Sequence, residues 1–140
     1  MKDLHNIVAD KVVIAAVAIG TTGTGQAGKI IDTQGYGGVE FIFNYGTITA
    51  TNAVFTPVCK EGDVTGAMTS VADADLLGTE LLAGIAAGTP RTSGVNKNVT
   101  KRLGYKGYKR YVQISKLSST ITAATPVSVS AVLHTPNVAP

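Results

Sequence analysis

Tryptophan is absent from the 140 residues, cysteine occurs once and histidine twice. A single Cys59 excludes an internal disulfide framework. A nucleophilic thiolate needs a base beside it, and His5 and His134 lie near the two ends of the chain. Cys59 sits instead in the alternating run AVFTPVCK, where a small buried side chain is the expected role. No paired carboxylates, no His/Cys cluster at metal-ligand spacing and no Ser/His/Asp set emerges. No catalytic, cofactor-binding or metal-binding residue is assigned, and the chain reads as non-enzymatic. With no Trp and only 6% aromatics, a flat sugar-stacking platform is disfavoured. Long apolar runs are missing too: the densest, Val12 to Ile19, falls short of the roughly 20 residues of a membrane-spanning helix. The opening MKDLHNIVADK carries Asp3 and Asp10 and no apolar core, unlike a secretory signal. Only 15% of residues are charged and mean hydropathy is +0.22, against about 25% charged in a typical soluble domain. That scarcity fits a surface partly covered by partners.

Glycine is abundant, and GTGQAGKI invites a phosphate cradle. Gly23, Gly28 and Lys29 match part of a P-loop, and Gly23, Gly25 and Gly28 spell G-x-G-x-x-G. A phosphate cradle needs a hydroxyl after the lysine to hold Mg²⁺ and a helix to follow. Ile30 has no hydroxyl, and Gly35, Gly37 and Gly38 break the would-be helix. A dinucleotide site needs a ribose-binding acid further on, and NYGTITATN has none. A Gly/Thr turn between strands is expected. Asp73 and Asp75 match the first spacing of an EF-hand loop, but Leu77 occupies the next ligand position and the final glutamate is missing, so a solvated turn is expected. NVT at Asn98 matches a glycosylation acceptor and carries no weight alone.

Period-two alternation dominates. GGVEFIFNYG sets Val39, Phe41 and Phe43 against Glu40, Ile42 and Asn44. NAVFTPVCKEG sets Phe55, Pro57 and Cys59 against Val54, Thr56 and Val58, with Pro57 demanding an edge or a bulge. KRYVQISK opposes Tyr111, Gln113 and Ser115 to Val112, Ile114 and Lys116. PVSVSAVLH puts Val127, Val129, Ala131 and Leu133 on one face. Turn residues separate these runs at roughly ten-residue spacing, which predicts an all-β fold, a β-sandwich or jelly-roll-like domain. At most one short helix is expected, in DADLLGTELLAGIAAG, where Leu76, Leu77, Leu81, Leu82 and Ile85 recur at partly helical spacing. GTPRTSGVNKN is expected to be an exposed loop. The chain reads as one domain over 1–140, with an extended N-terminal arm of about 1–11 and a C-terminal tail of about 134–140.

Charge is sorted along the chain. All nine acids and four bases lie in residues 1–80, for a net −5; residues 81–140 carry eight bases and no acid, for +8, which together give the +3 of the whole chain. Six of the bases fall in KNVTKRLGYKGYKRY, threaded with Tyr105, Tyr108 and Tyr111. Bases among aromatics can bind single-stranded nucleic acid, meet an acidic protein surface, or be cancelled by acids of their own sheet. A strand over this stretch would split Lys109 and Tyr111 from Arg110, which disfavours nucleic acid. Lys101, Arg102, Lys106, Tyr108, Lys109 and Arg110 are therefore the candidate partner contacts.

IIDTQGYGGVEFIFNYGTITATNAVF, EGDVTGAMTSVADADLLGTE and VTKRLGYKGYKRYVQIS together resemble small virion proteins encoded among the head genes of tailed bacteriophages, several of which decorate or cement the capsid. The similarity spans about Ile30 to Ser115 and consists of strand and turn patterns. It implies a β-sandwich bound to the outside of a shell of major capsid protein, as a homo-oligomer or in many copies, in a virion head assembled in the host cytoplasm. It brings no catalytic residue, cofactor or membrane. The alternatives are a carbohydrate- or nucleic-acid-binding β-sandwich, or a tail or head–tail joining component.

Overall fold

The computed structural model describes residues 5–19, 26–48, 53–86, 98–119 and 125–136. Their alternating runs form two antiparallel sheets. The strands are β1 (Ala9–Ile19), β2 (Gln26–Ala27), β3 (Ile31–Asp32), β4 (Tyr36–Tyr45), β5 (Val54–Gly62), β6 (Thr69–Ser70), β7 (Leu76–Leu77), β8 (Thr100–Tyr105), β9 (Tyr111–Ser119) and β10 (Thr125–Pro136). The first sheet has the order β1-β10-β4-β8-β7. The second has the order β2-β9-β5-β6, with β3 also paired to β9. This is the all-β, sandwich-type architecture expected from the period of two.

Register explains which residues fill the space between the sheets. In the first sheet Val39, Phe41 and Phe43 stand opposite Leu133, Ala131 and Val129 on one side, and opposite Tyr105, Leu103 and Lys101 on the other. In the second, Cys59 stands opposite Ile114. Phe55, Cys59, Val112 and Ile114 are buried with the first sheet's aromatic and aliphatic residues in one core. Tyr45 of β4 meets Phe55 of β5 edge to face, centroids 5.5 Å apart, and lies parallel to Phe43 at 6.4 Å.

Exposed strand edges attract other strands, and the outer edge of β5 is closed residue by residue. Phe55 exchanges both backbone bonds with Ile85, and the Cys59 carbonyl accepts from the Val71 amide. The Cys59 amide donates to the Glu80 carboxylate. Between them Pro57 has no amide to satisfy, so the edge position its sequence demanded is where it lies. On β1 the register slips between Val12 and Ile14 and again between Ile14 and Val17. These irregularities let the consecutive Val13 and Ile14 both turn inward and bend the strand.

Three expectations shift, at the arm, the tail and the basic stretch, while the short helix expected in the leucine-rich stretch is found. Pairing of β1 begins at Ala9, opposite Leu133, so the arm proposed for 1–11 is already sheet over its last three residues. The tail proposed for 134–140 is likewise strand through Pro136, with His134 opposite Gly38; residues 137–140 lie outside the described set. The leucine-rich stretch is a 3₁₀ turn (Asp73–Asp75), the two-residue β7 and a single-turn helix α1 (Glu80–Ala83), capped by the Thr79 hydroxyl, which accepts from the Leu82 amide at 3.1 Å. Leu76, Ala83 and Ile85 of this stretch are buried, whereas Leu81 and Leu82 are 76% and 68% exposed, because one turn of helix flanked by Gly78 and Gly84 has no inward apolar stripe. Finally, Lys106 to Arg110 form the loop from β8 to β9, not a strand. The expected exposed loop at GTPRTSGVNKN falls almost wholly outside the described residues.

Phe41→Ala should cost about 3–5 kcal/mol by opening a cavity in the core, whereas Leu81→Ser should stay within about 0.5 kcal/mol. Urea titration followed by circular dichroism measures both.

Candidate functional site

The GTGQAGKI segment resolves in favour of packing. Residues 20–25 lie outside the described set, but Gly28 donates its amide to the Ile114 carbonyl at 2.8 Å and Lys29 donates to Val13 at 2.9 Å. The chain thus steps from the second sheet to the edge of the first across these two residues. A Cβ on Gly28 would sit 2.6 Å from the Ile114 oxygen and from a Val13 methyl, so glycine is there for close approach of chains, and the Lys29 residue is exposed.

Strand parity builds the candidate site. Tyr105 ends β8 on its inward face, and Glu61 lies near the end of β5 at an inward position, so the two meet between the sheets. The Tyr105 hydroxyl donates to Glu61 Oε2 at 2.6 Å and accepts the Lys109 amide at 3.0 Å. Burial first, then the Glu61 carboxylate, pushes the phenol's pKa up, so it remains a neutral donor. The same parity turns Lys101 inward at the other end of β8, where its ammonium donates to the Gly84 carbonyl at 2.6 Å, behind the last turn of α1. Close by, the Tyr45 hydroxyl donates to the Ala83 carbonyl at 2.9 Å. Both ends of the interior are therefore fastened by paired polar groups.

The loop beyond Tyr105 is tied to acids of the N-terminal half. Lys109 forms an ion pair with Asp63, and Arg110 grips Asp32 through Nε and Nη2, the latter at 2.8 Å. Arg110 also lies 5.0 Å from the centre of the Tyr111 ring. Thr33 clamps the loop from the side: its amide donates to the Arg110 carbonyl at 2.8 Å, as does its hydroxyl at 2.9 Å. On β8, Arg102 lies 3.7 Å from Glu40. The Arg110 guanidinium, with the Gln34 amide adding to it, holds the Asp32 carboxyl below its ordinary value.

Of the six candidate contacts, Lys109 and Arg110 are held by internal acids, Arg102 leans on Glu40, and Lys101 points into the fold. Lys106 anchors its own amide on the Asp75 carbonyl and belongs to the exposed surface, while Tyr108 is 99% exposed. Lys106 to Arg110 form one wall of a cleft of about 510 Å³; Thr33, Gln34, Gly35, Tyr36 and Gly37 form the other. None of the five residues of the second wall is a site candidate in the sequence, where Gly35 and Gly37 of IDTQGYGG read only as a break after a failed phosphate motif. The charge sorting was a usable signal for the ion pairs: with every acid in residues 1–80 and eight of the twelve bases in 81–140, opposite charges are brought together where strands from the two parts are neighbours. Asp73 and Asp75 form the 3₁₀ turn, and the described residues hold no cluster of His, Cys, Asp and Glu able to grip a metal ion.

No protein-family model matches the sequence, and no curated protein matches it. Solved structures do match in fold. XepA, the PBSX exported protein, is 12% identical with a TM-score of 0.58 over 94% of this chain and 39% of that one. A structure of infectious bursal disease virus, Gx strain, is 8% identical with a TM-score of 0.55 over 93% of this chain and 32% of that one. The C-terminal CBM6 of LamC, a marine laminarinase from Zobellia galactanivorans, is 10% identical with a TM-score of 0.50 over 89% of this chain and 99% of that one. The chain thus spans well under half the length of the first two. These neighbours place it among β-sandwich, jelly-roll-like modules.

Tyr105→Phe should cost about 1–3 kcal/mol, because the inward Glu61 carboxylate loses its donor, and amide exchange at Lys109 should accelerate, as hydrogen-exchange spectroscopy would show. Asp32, with its folded pKa depressed below 3.8, contributes stability that is present above that value and lost as pH falls through the folded one. The stability gap between the wild type and Asp32→Asn should therefore be present at neutral pH and close toward the acid end of a denaturation series, remaining small throughout because both partners are half exposed.

Proposed function

We propose that this chain is a non-enzymatic structural protein of a tailed-bacteriophage virion, a decoration or cement subunit that binds the outside of the major capsid shell in many copies. The observation that carries this function is an apolar surface on the β7–α1 segment. Leu77, Leu81 and Leu82 are 52%, 76% and 68% exposed, close to one another in sequence, on a molecule in which only 15% of residues are charged. Large exposed aliphatic side chains grouped in this way mark a surface that a partner covers. Edge strand β7 offers backbone groups beside them, and the exposed Arg102 stands on neighbouring β8, ready to set register through charge.

Support of a second kind comes from the sequence resemblance to head-gene virion proteins and from fold neighbours that belong to PBSX and to a virus. A small sandwich fastened at both ends of its interior is suited to stiffening a shell from outside, since multivalent contact multiplies a modest affinity. In this arrangement Lys101 supports the surface from within by holding the Gly84 carbonyl, and Arg102 contacts the partner directly.

Purified protein should co-sediment with capsids that lack it and raise their melting temperature. The Leu81→Ser, Leu82→Ser double variant should keep its circular-dichroism spectrum and lose about tenfold or more in capsid affinity. Capsids equally heat-resistant with and without the protein would refute the assignment.

A further inference from the structure

The cleft between the β3–β4 turn and the β8–β9 loop is not used by the proposed capsid contact, and its lining is unusual for this chain. Of its ten residues two are tyrosines and three are cations, and none is an acid. Its volume of about 510 Å³ falls in the range of small-ligand sites, about 300–1,000 Å³. The walls are held in place: Thr33 binds both the Lys109 and the Arg110 carbonyls, the Tyr36 amide donates to the Thr33 carbonyl at 3.0 Å, and Tyr105 fixes Lys109 from below.

Charge decides the ligand class. Asp63 neutralises Lys109 and Asp32 neutralises Arg110, whereas no described acid pairs with the Lys106 ammonium, so the cleft offers one uncompensated positive charge. Nucleic acid draws its affinity from many phosphates meeting many cations, and this cleft cannot supply them. One cation beside one bare aromatic ring suits a ligand with one anionic group and a flat face of C–H bonds, which meets the electron-rich face of the ring.

We propose that this cleft binds a short acidic saccharide, with a sugar ring stacked on Tyr108, its carboxylate on Lys106 and hydroxyls on the Gln34 side chain. The hydrogen-bonded backbone of both walls lowers the ordering cost of binding. Sequence composition argued against a broad aromatic platform, and a single tyrosine at the mouth of a cleft makes a narrower site that needs none.

The full chain would be titrated by calorimetry with a galacturonic acid tetramer, with maltotetraose as the neutral control and an oligothymidylate as the phosphate control. The galacturonate tetramer should bind in the millimolar range or tighter, and more tightly than maltotetraose. Tyr108→Ala should weaken it by about tenfold or more, and Lys106→Gln should bring the acidic-to-neutral preference to about one. Tyr108 is fully exposed, so its removal leaves the fold intact. The leucine double variant should bind the saccharide unchanged, which separates this site from the capsid contact. No binding of the galacturonate tetramer, equal binding of maltotetraose, an unchanged affinity in Tyr108→Ala, or tighter binding of the oligothymidylate would each overturn the proposal.

Discussion

The hydrogen bond from Tyr105 to Glu61 is the contact on which the functional end of this molecule depends. A two-layer β fold fills its interior with apolar side chains, and a carboxylate directed inward loses water it must replace. Glu61 recovers a donor from the opposite sheet, the Tyr105 hydroxyl. The bond therefore joins the layers, and because the Tyr105 hydroxyl oxygen also accepts from the Lys109 amide, it fixes where the β8–β9 loop begins. From that point the ion pairs to Asp63 and Asp32 and the bonds from Thr33 follow, and with them the cleft. Lys101 does similar work at the far end of the same strand. One six-residue strand, β8, thus pins both ends of the interior while its Leu103 stays fully within the core.

Much of the fold was legible because burial here is read two residues at a time. Phe41 and Phe43, Phe55 and Cys59, Val112 and Ile114, and the Val127 to Leu133 series alternate without exception, and no other regular structure satisfies such a pattern. Legibility failed where backbone chemistry overrode periodicity. Leu81 and Leu82 look like core by spacing, yet a helix of one turn cannot direct two successive leucines inward. Lys106 to Arg110 look like the front of a strand because Tyr111 continues them, but Gly107 and the Tyr105 hydroxyl turn the chain there before pairing with β5 begins. Val13 and Ile14 break alternation through a register slip that depends on β10, a partner more than a hundred residues away in sequence.

The candidate site was half visible. Its basic wall was conspicuous by charge, while the wall from Thr33 to Gly37 carries no charge and reads as an ordinary turn. The sorting of acids and bases along the chain also takes on a physical meaning. With β3, β4 and β5 from the acidic half placed beside β8 and β9 from the basic half, the asymmetry cancels locally at Asp32, Glu40 and Asp63. Over that surface three acid–base pairs form from the two halves of a lopsided sequence.

The position of β10 has a kinetic implication. Among the described residues it is the last strand in sequence, yet it lies between β1, the first of them, and β4, pairing with both along most of its length. Until it arrives, β1 has no strand to join in the first sheet, and Val39, Phe41 and Phe43 remain open along one side. Closure of so long a loop is entropically costly before any contact rewards it. In a growing chain β1 therefore stays out of the first sheet until β10 has been made.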